Sequence, residues 1–133
     1  MQKDPRITIV ARPGKFVPTS PVPGGIDAGG FIWLSGLIAV DIETGEYSSG
    51  DIRTQTNMTF DYIEKTLANA GCSLANVVRV WVYLTCQADF DGMNEVYRER
   101  FAAGHYPARS TLIVAGLRVP SLRVEIDVVA LKP

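Results

Sequence analysis

Three side chains in the last quarter of the chain have the chemistry to act on a small molecule: Arg109, Glu125 and Asp127. A guanidinium presents a planar fork of N–H donors that matches a carboxylate through two parallel hydrogen bonds. A nearby carboxylate can orient a water or take its proton. The same residue types also make an Arg–Glu ion bridge at an interface, and spacing alone leaves both readings open. Nucleophilic and metal chemistry have less to draw on. Cys72 and Cys86 carry no metal-ligand spacing, and the one histidine, His105, stands in an Ala-Gly-His-Tyr-Pro stretch. A cysteine nucleophile ordinarily needs a histidine base. Neither thiol is therefore expected to be catalytic, both are expected to be reduced, and no metal site is expected.

The elements that must position these residues follow from periodicity. Ile52, Thr56, Phe60, Ile63, Leu67 and Ala70 recur at steps of three and four, which predicts a helix with one apolar face. Asp51 stands where an N-cap acceptor belongs and Gly71 where a left-handed stop belongs. A second helix is expected to start with Asp89 as its cap. It carries Phe90, Met93, Tyr97 and Phe101 on one side and ends before Gly104. Strands are expected over 6–11, 26–28, 31–35, 77–85, 109–114 and 123–131, with Gly29-Gly30 forming a hairpin turn. Asp41 to Glu46 reads as a polar turn, and Gly116 to Ser121 as the connection between the last two strands. That short connection predicts that the strands of Arg109 and Glu125 pair. The whole is a single domain, 1–133: an α+β fold with a mixed sheet and two helices on one of its faces.

The two faces of that sheet differ. Val78, Val80, Val82 and Leu84 point one way, with Val124, Ile126, Val128 and Ala130, and suit the helix side. Trp33, Arg79, Trp81, Tyr83, Arg123, Glu125 and Asp127 belong to the other side, where Arg109 is placed by its expected pairing. Large aromatics are costly to leave wet as a group, so this second face is expected to be a subunit interface. Charges within an interface invite a ligand between subunits.

Composition sets the bounds. The chain has 133 residues, 47% of them hydrophobic and 20% charged, so it can build a core and is not a disordered chain. A net charge of −1 creates no general attraction for nucleic acid. No apolar run approaches the roughly 20 residues of a membrane span, and no secretory leader is apparent, so a cytoplasmic location is expected.

Several short segments, in order, resemble one family. Tyr106-Pro107-Ala108-Arg109-Ser110 is similar to the Pro-Ala-Arg-Ser/Thr motif of the Rid (reactive intermediate deaminase, or YjgF) family. Phe31 to Gly36 resembles its apolar run ending in Ser-Gly, and Thr44-Gly45-Glu46 resembles its Thr-Gly-Glu turn. Ala70 to Leu74, Val78 to Thr85, Asp89-Phe90 and Met93 to Tyr97 match further pieces, and Val124 to Asp127 matches its Val-Glu-Ile-Glu ending. The match covers roughly residues 20 to 131.

The resemblance implies a chorismate-mutase-like subunit that forms a homotrimer around a central barrel, with clefts between subunits. It implies cofactor-independent hydrolysis of reactive enamines or imines, such as 2-imino acids, to oxo acids and ammonia. Carried over by position, Arg109 grips the substrate carboxylate and Glu125 positions the attacking water. Ser35, Gly36, Asn94 and Tyr106 match positions that line or support the cleft. There are two departures. Val22 stands where the family commonly has a cleft tyrosine, and Leu37 where Ser-Gly is usually followed by glutamine. Both make the region more apolar and point to an altered substrate, an aminomuconate-like enamine or a bulkier imino acid. Two further functions are open: an endoribonuclease that inhibits translation, also attributed to family members, and a non-enzymatic ligand-binding trimer.

Overall fold

The computed structural model describes residues 3–133. The strands are β1 (Thr8–Val10), β2 (Gly25–Ala28), β3 (Phe31–Leu34), β4 (Leu37–Ile38), β5 (Val77–Leu84), β6 (Ala108–Ile113) and β7 (Val124–Leu131). The helices are α1 (Ile52–Ala68) and α2 (Phe90–Arg100). All strands join one sheet in the order β1-β2-β3-β7-β5-β6, with β4 also paired to β7. Only β5 and β6 run parallel. That pair needs a crossover, and α2 lies within it.

The helix ends follow local chemistry. The Asp51 carboxylate accepts from the Thr54 N–H at 2.8 Å, and the chain turns after α1 at Gly71, whose φ is 74°. Phe60, Ile63 and Leu67 of α1 and Met93, Val96 and Tyr97 of α2 are buried against Val80, Val82, Leu84, Ile126 and Val128 of the sheet. Ion pairs fasten the two helices to each other. Arg100 reaches Asp61 and Glu64, and Arg53 reaches Glu95 and Glu99.

Three expectations are corrected. First, β6 and β7 do not pair, because β5 lies between them. β7 buries Val124, Ile126, Val128 and Ala130 on one face and Val129 on the other. A strand buried along most of its length takes a central position, with both edges paired. β6, with exposed Leu112 and Ile113, is left at the edge. Second, Val77 rather than Val78 enters the core. A register shift between Val77 and Arg79 adds one residue against β7, and such a bulge turns Val78 outward. Third, Asp89 stands at the N-cap position of α2 but makes no capping bond. Its buried carboxylate instead takes two hydrogen bonds from Arg123, at 2.6 and 2.9 Å.

Hydrogen bonds to charged groups contribute about 1.5–3 kcal/mol, and the exposed Arg123 side chain can turn to water when its partner is removed. Asp89→Ala is therefore expected to lower unfolding stability by about 2 kcal/mol in urea titrations. A change within a few tenths would show that the pair carries no net stability.

Candidate active site

β3 and β4 run beside β7 with a break between them. From Trp33 to Leu37 the chain advances four residues, while the facing strand advances three, from Val129 to Ile126. The extra residue falls at Leu34 to Gly36, and a bulge of this kind re-aims the neighbouring side chains. Glu125 lies against it. A Cβ on Gly36 would come within 3.0 Å of the Glu125 Cδ and collide with its Oε2, so only glycine leaves that carboxylate in place. The adjoining Ser35 hydroxyl donates to the Pro23 carbonyl at 2.7 Å. This ties the segment carrying Val22 to the same corner.

Glu125, Ser35, Gly36 and Val22 thus share the wall of one cavity of about 240 Å³. Leu37 also lines this cavity, but it is only 1% exposed, because the bulge turns it to the helix side, where it joins the core. A second depression joins Glu125 to Asp127, Tyr83 and Gly36, and Arg118 lines both hollows. Burial raises the Glu125 pKa above the usual carboxylate value, and the charge of Asp127 adds to the effect. Asp127 is also raised by burial, with the Tyr83 hydroxyl opposing the shift. One Asp127 oxygen is buried without a hydrogen-bond partner.

Arg109 is elsewhere. In the parallel register it faces Val80, a core residue, and so points to the helix side of the sheet. Glu125 pairs with Tyr83 on the opposite side. The expectation that Arg109 and Glu125 share a face fails with the β6–β7 pairing on which it rested. The Arg109 guanidinium lies 4.4 Å from the centre of the Tyr97 ring and 5.9 Å from that of Phe90. Asn94, Tyr106 and Arg98 complete a shallow hollow around it. Among the described residues, Arg109 takes part in no ion pair. The predicted residues therefore fall into two groups, one around Glu125 and one around Arg109, on opposite faces and two strands apart.

The sequence marks Tyr97 only as a core residue of α2, yet it is the shelf under Arg109. It is 4% exposed, and its hydroxyl is buried without a partner. A cation over an aromatic face gains about 0.5–2 kcal/mol. Tyr97→Phe keeps the shelf and is expected to keep KM for a carboxylate-bearing substrate. Tyr97→Leu removes it and is expected to raise KM by about threefold to thirtyfold with kcat nearly unchanged. Equal losses in both variants would make the hydroxyl, not the ring, the operative group. Arg118 and Arg12 were not singled out either, since isolated arginines in irregular segments carry no spacing signal.

The fold defines the class first: a small α+β subunit with two helices on one face of a mixed sheet and ionisable residues gathered on both faces. Residues 16–132 match the family described as Endoribonuclease L-PSP. The chain belongs to that family, the Rid or YjgF proteins. It is 41% identical over 115 residues to a RutC family protein of Pyrococcus horikoshii, covering 86% of this chain and 90% of that one. It is 31% identical over 119 residues to a 2-iminobutanoate/2-iminopropanoate deaminase of Dermatophagoides farinae, covering 90% and 91% of the two chains. The solved structure of the YjgF gene product of Escherichia coli superposes with a TM-score of 0.84 at 29% identity, over 95% of this chain and 99% of that one. The similarity bears out the family and the α+β fold. Among the described residues, no helix is long and apolar enough to cross a membrane, and no cluster of ligating side chains could hold a metal ion.

Proposed function

We propose that this protein hydrolyses reactive imines or enamines that carry a carboxylate, giving a 2-oxo acid and ammonia without a cofactor. The site lies between copies of the chain in a homotrimer, with Arg109 of one copy meeting the Glu125 pocket of the next. The single observation that carries this reading is the division of the candidate residues. Among the described residues Arg109 has no anionic partner, and the Glu125 pocket lies on the other side of the sheet. The open second face, with Trp33 at 48% exposed, fits a neighbouring copy.

The chemistry asks little beyond placement. A protonated imine is already an electrophile. Arg109 fixes the carboxylate end through its fork. Glu125 takes a proton from water as the oxygen bonds to the imine carbon, giving a carbinolamine. The C–N bond then breaks, the nitrogen leaves with a proton as ammonia, and the oxygen becomes the oxo group. Until it takes that proton, the negative Glu125 also favours the cationic form of the imine beside it. The free thiols Cys72 and Cys86 fit a reducing cytoplasm.

Ammonia release from imines generated in situ by an amino-acid oxidase tests the reading, with RNA cleavage as the parallel arm. Faster ammonia release with no RNA cleavage supports it. RNA cleavage without any imine turnover would favour the activity that the family description prints.

A further inference from the structure

Resting on the deaminase reading, we propose that the cavity beside Glu125 is a side-chain pocket that selects 2-imino acids with bulky, apolar side chains, branched or aromatic. Phe16 and Tyr47 meet edge to face, with ring centres 6.3 Å apart, and make one wall. Pro18, Val22, Leu37, Ile38 and Val119 make the rest of the apolar lining.

Two polar side chains at the same cavity, Arg12 and Ser35, are already engaged within its wall, while Thr19 and Ser20 also line it. Arg12 donates to the Tyr62 hydroxyl and to the carbonyls of Val22 and Pro23, at 2.7 to 2.9 Å. Ser35 donates to the same Pro23 carbonyl. With Arg12 and Ser35 occupied in this way, the apolar walls are the larger surface offered to an incoming group, and an apolar group gains most from them. The Arg12 bonds also hold the Val22 segment in place, so the cavity is built into the fold. Its volume of about 240 Å³ exceeds what a methyl group needs. Glu125 sits in the wall, so a side chain lodged there leaves the imine carbon next to the carboxylate.

Arg118 is the charged group that competes with this reading. It is exposed at the rim and, among the described residues, in no ion pair. A second carboxylate on the substrate would suit it. Arg118 adjoins Val119 and is exposed to solvent, and the apolar lining remains the larger recognition surface.

The test compares kcat/KM for imines made by oxidase from leucine, phenylalanine, alanine and glutamate, using the full chain as it assembles in solution. In parallel, calorimetry measures binding of 4-methyl-2-oxopentanoate, pyruvate and 2-oxoglutarate. The leucine or phenylalanine imine is expected to exceed the alanine imine by at least about tenfold, the range for added methylenes in an apolar pocket. Val22→Tyr, which fills the cavity from an exposed position, and Phe16→Ala, which opens its wall, are each expected to shrink that ratio. Turnover that favours the alanine or glutamate imine overturns the inference while leaving the deaminase reading standing. Absence of turnover for every imine overturns the deaminase reading instead. The binding arm still decides the pocket in that case: tighter binding of 4-methyl-2-oxopentanoate than of pyruvate and 2-oxoglutarate supports it, and equal or reversed binding overturns it.

Discussion

Arg109→Ala is expected to lower kcat/KM for an imino acid by about 10²- to 10³-fold, most of it as a higher KM. Truncating one partner of a hydrogen-bonded charge pair costs about 2–5 kcal/mol, and each 1.4 kcal/mol is tenfold. The loss should fall on KM because the substrate carboxylate takes no part in bond making and is held alike in ground and transition states. The position favours a large effect. Tyr97 and Phe90 hold the guanidinium by its face, and no described carboxylate competes for its N–H groups. Arg109→Lys should recover only part of the loss, because an ammonium keeps the charge but not the fork. The readout is steady-state ammonia release with both variants. A kcat fall with unchanged KM would move Arg109 from carboxylate binding to the chemical step.

Glu125→Gln is expected to act on the other parameter. Loss of a positioned general base lowers rates by about 10²- to 10⁴-fold, so kcat should fall while KM changes little. The pH profile carries a second signature. The base works only when ionised, so activity rises as pH climbs through the Glu125 pKa. Burial, followed by the charge of Asp127, raises that pKa, which places the acid limb above the ordinary carboxylate value of 4.5. Asp127→Asn removes the second cause and should move the limb toward lower pH. A limb that stays in place would mean that burial alone sets it. Stability follows the opposite sense. A folded state that holds these protons more tightly than the unfolded chain is favoured most in acid, below the unfolded pKa. That contribution is lost as pH rises through the folded pKa values of Glu125 and Asp127.

The elements were legible where side chains repeat. The three-and-four spacing of Phe60, Ile63 and Leu67 defines α1, and Asp51 and Gly71 mark its ends as expected. The alternation of β7 was also plain. What could not be read is which strands meet. The short connection from β6 to β7 allows a hairpin or a skip, and burial of β7 on both faces decides for the skip. The side chosen by Arg109 hangs on that one pairing, so the strand's own alternation could not supply it. The two bulges, at Val77 to Arg79 and at Leu34 to Gly36, leave no sequence mark because an extra residue has no required type. They still decide that Val78 and Leu37 face opposite ways to their expected sides. Gly36 is the partial exception. Its need for a missing Cβ comes from the Glu125 carboxylate, far away by chain but adjacent in space.

The central claim is that Arg109 and Glu125 serve one site from two copies of the chain, and subunit mixing tests it most directly. Arg109→Ala and Glu125→Gln chains are each expected to be nearly inactive alone. Unfolded and refolded together in equal amounts, random assortment around a head-to-tail ring gives about one cleft in four an intact Arg109 and an intact Glu125. Ammonia release should therefore return to about a quarter of the unmodified level. If mixed assemblies form, as mass spectrometry of tagged chains would show, and activity stays at the level of the separate variants, the two residues do not meet across an interface and the account is wrong.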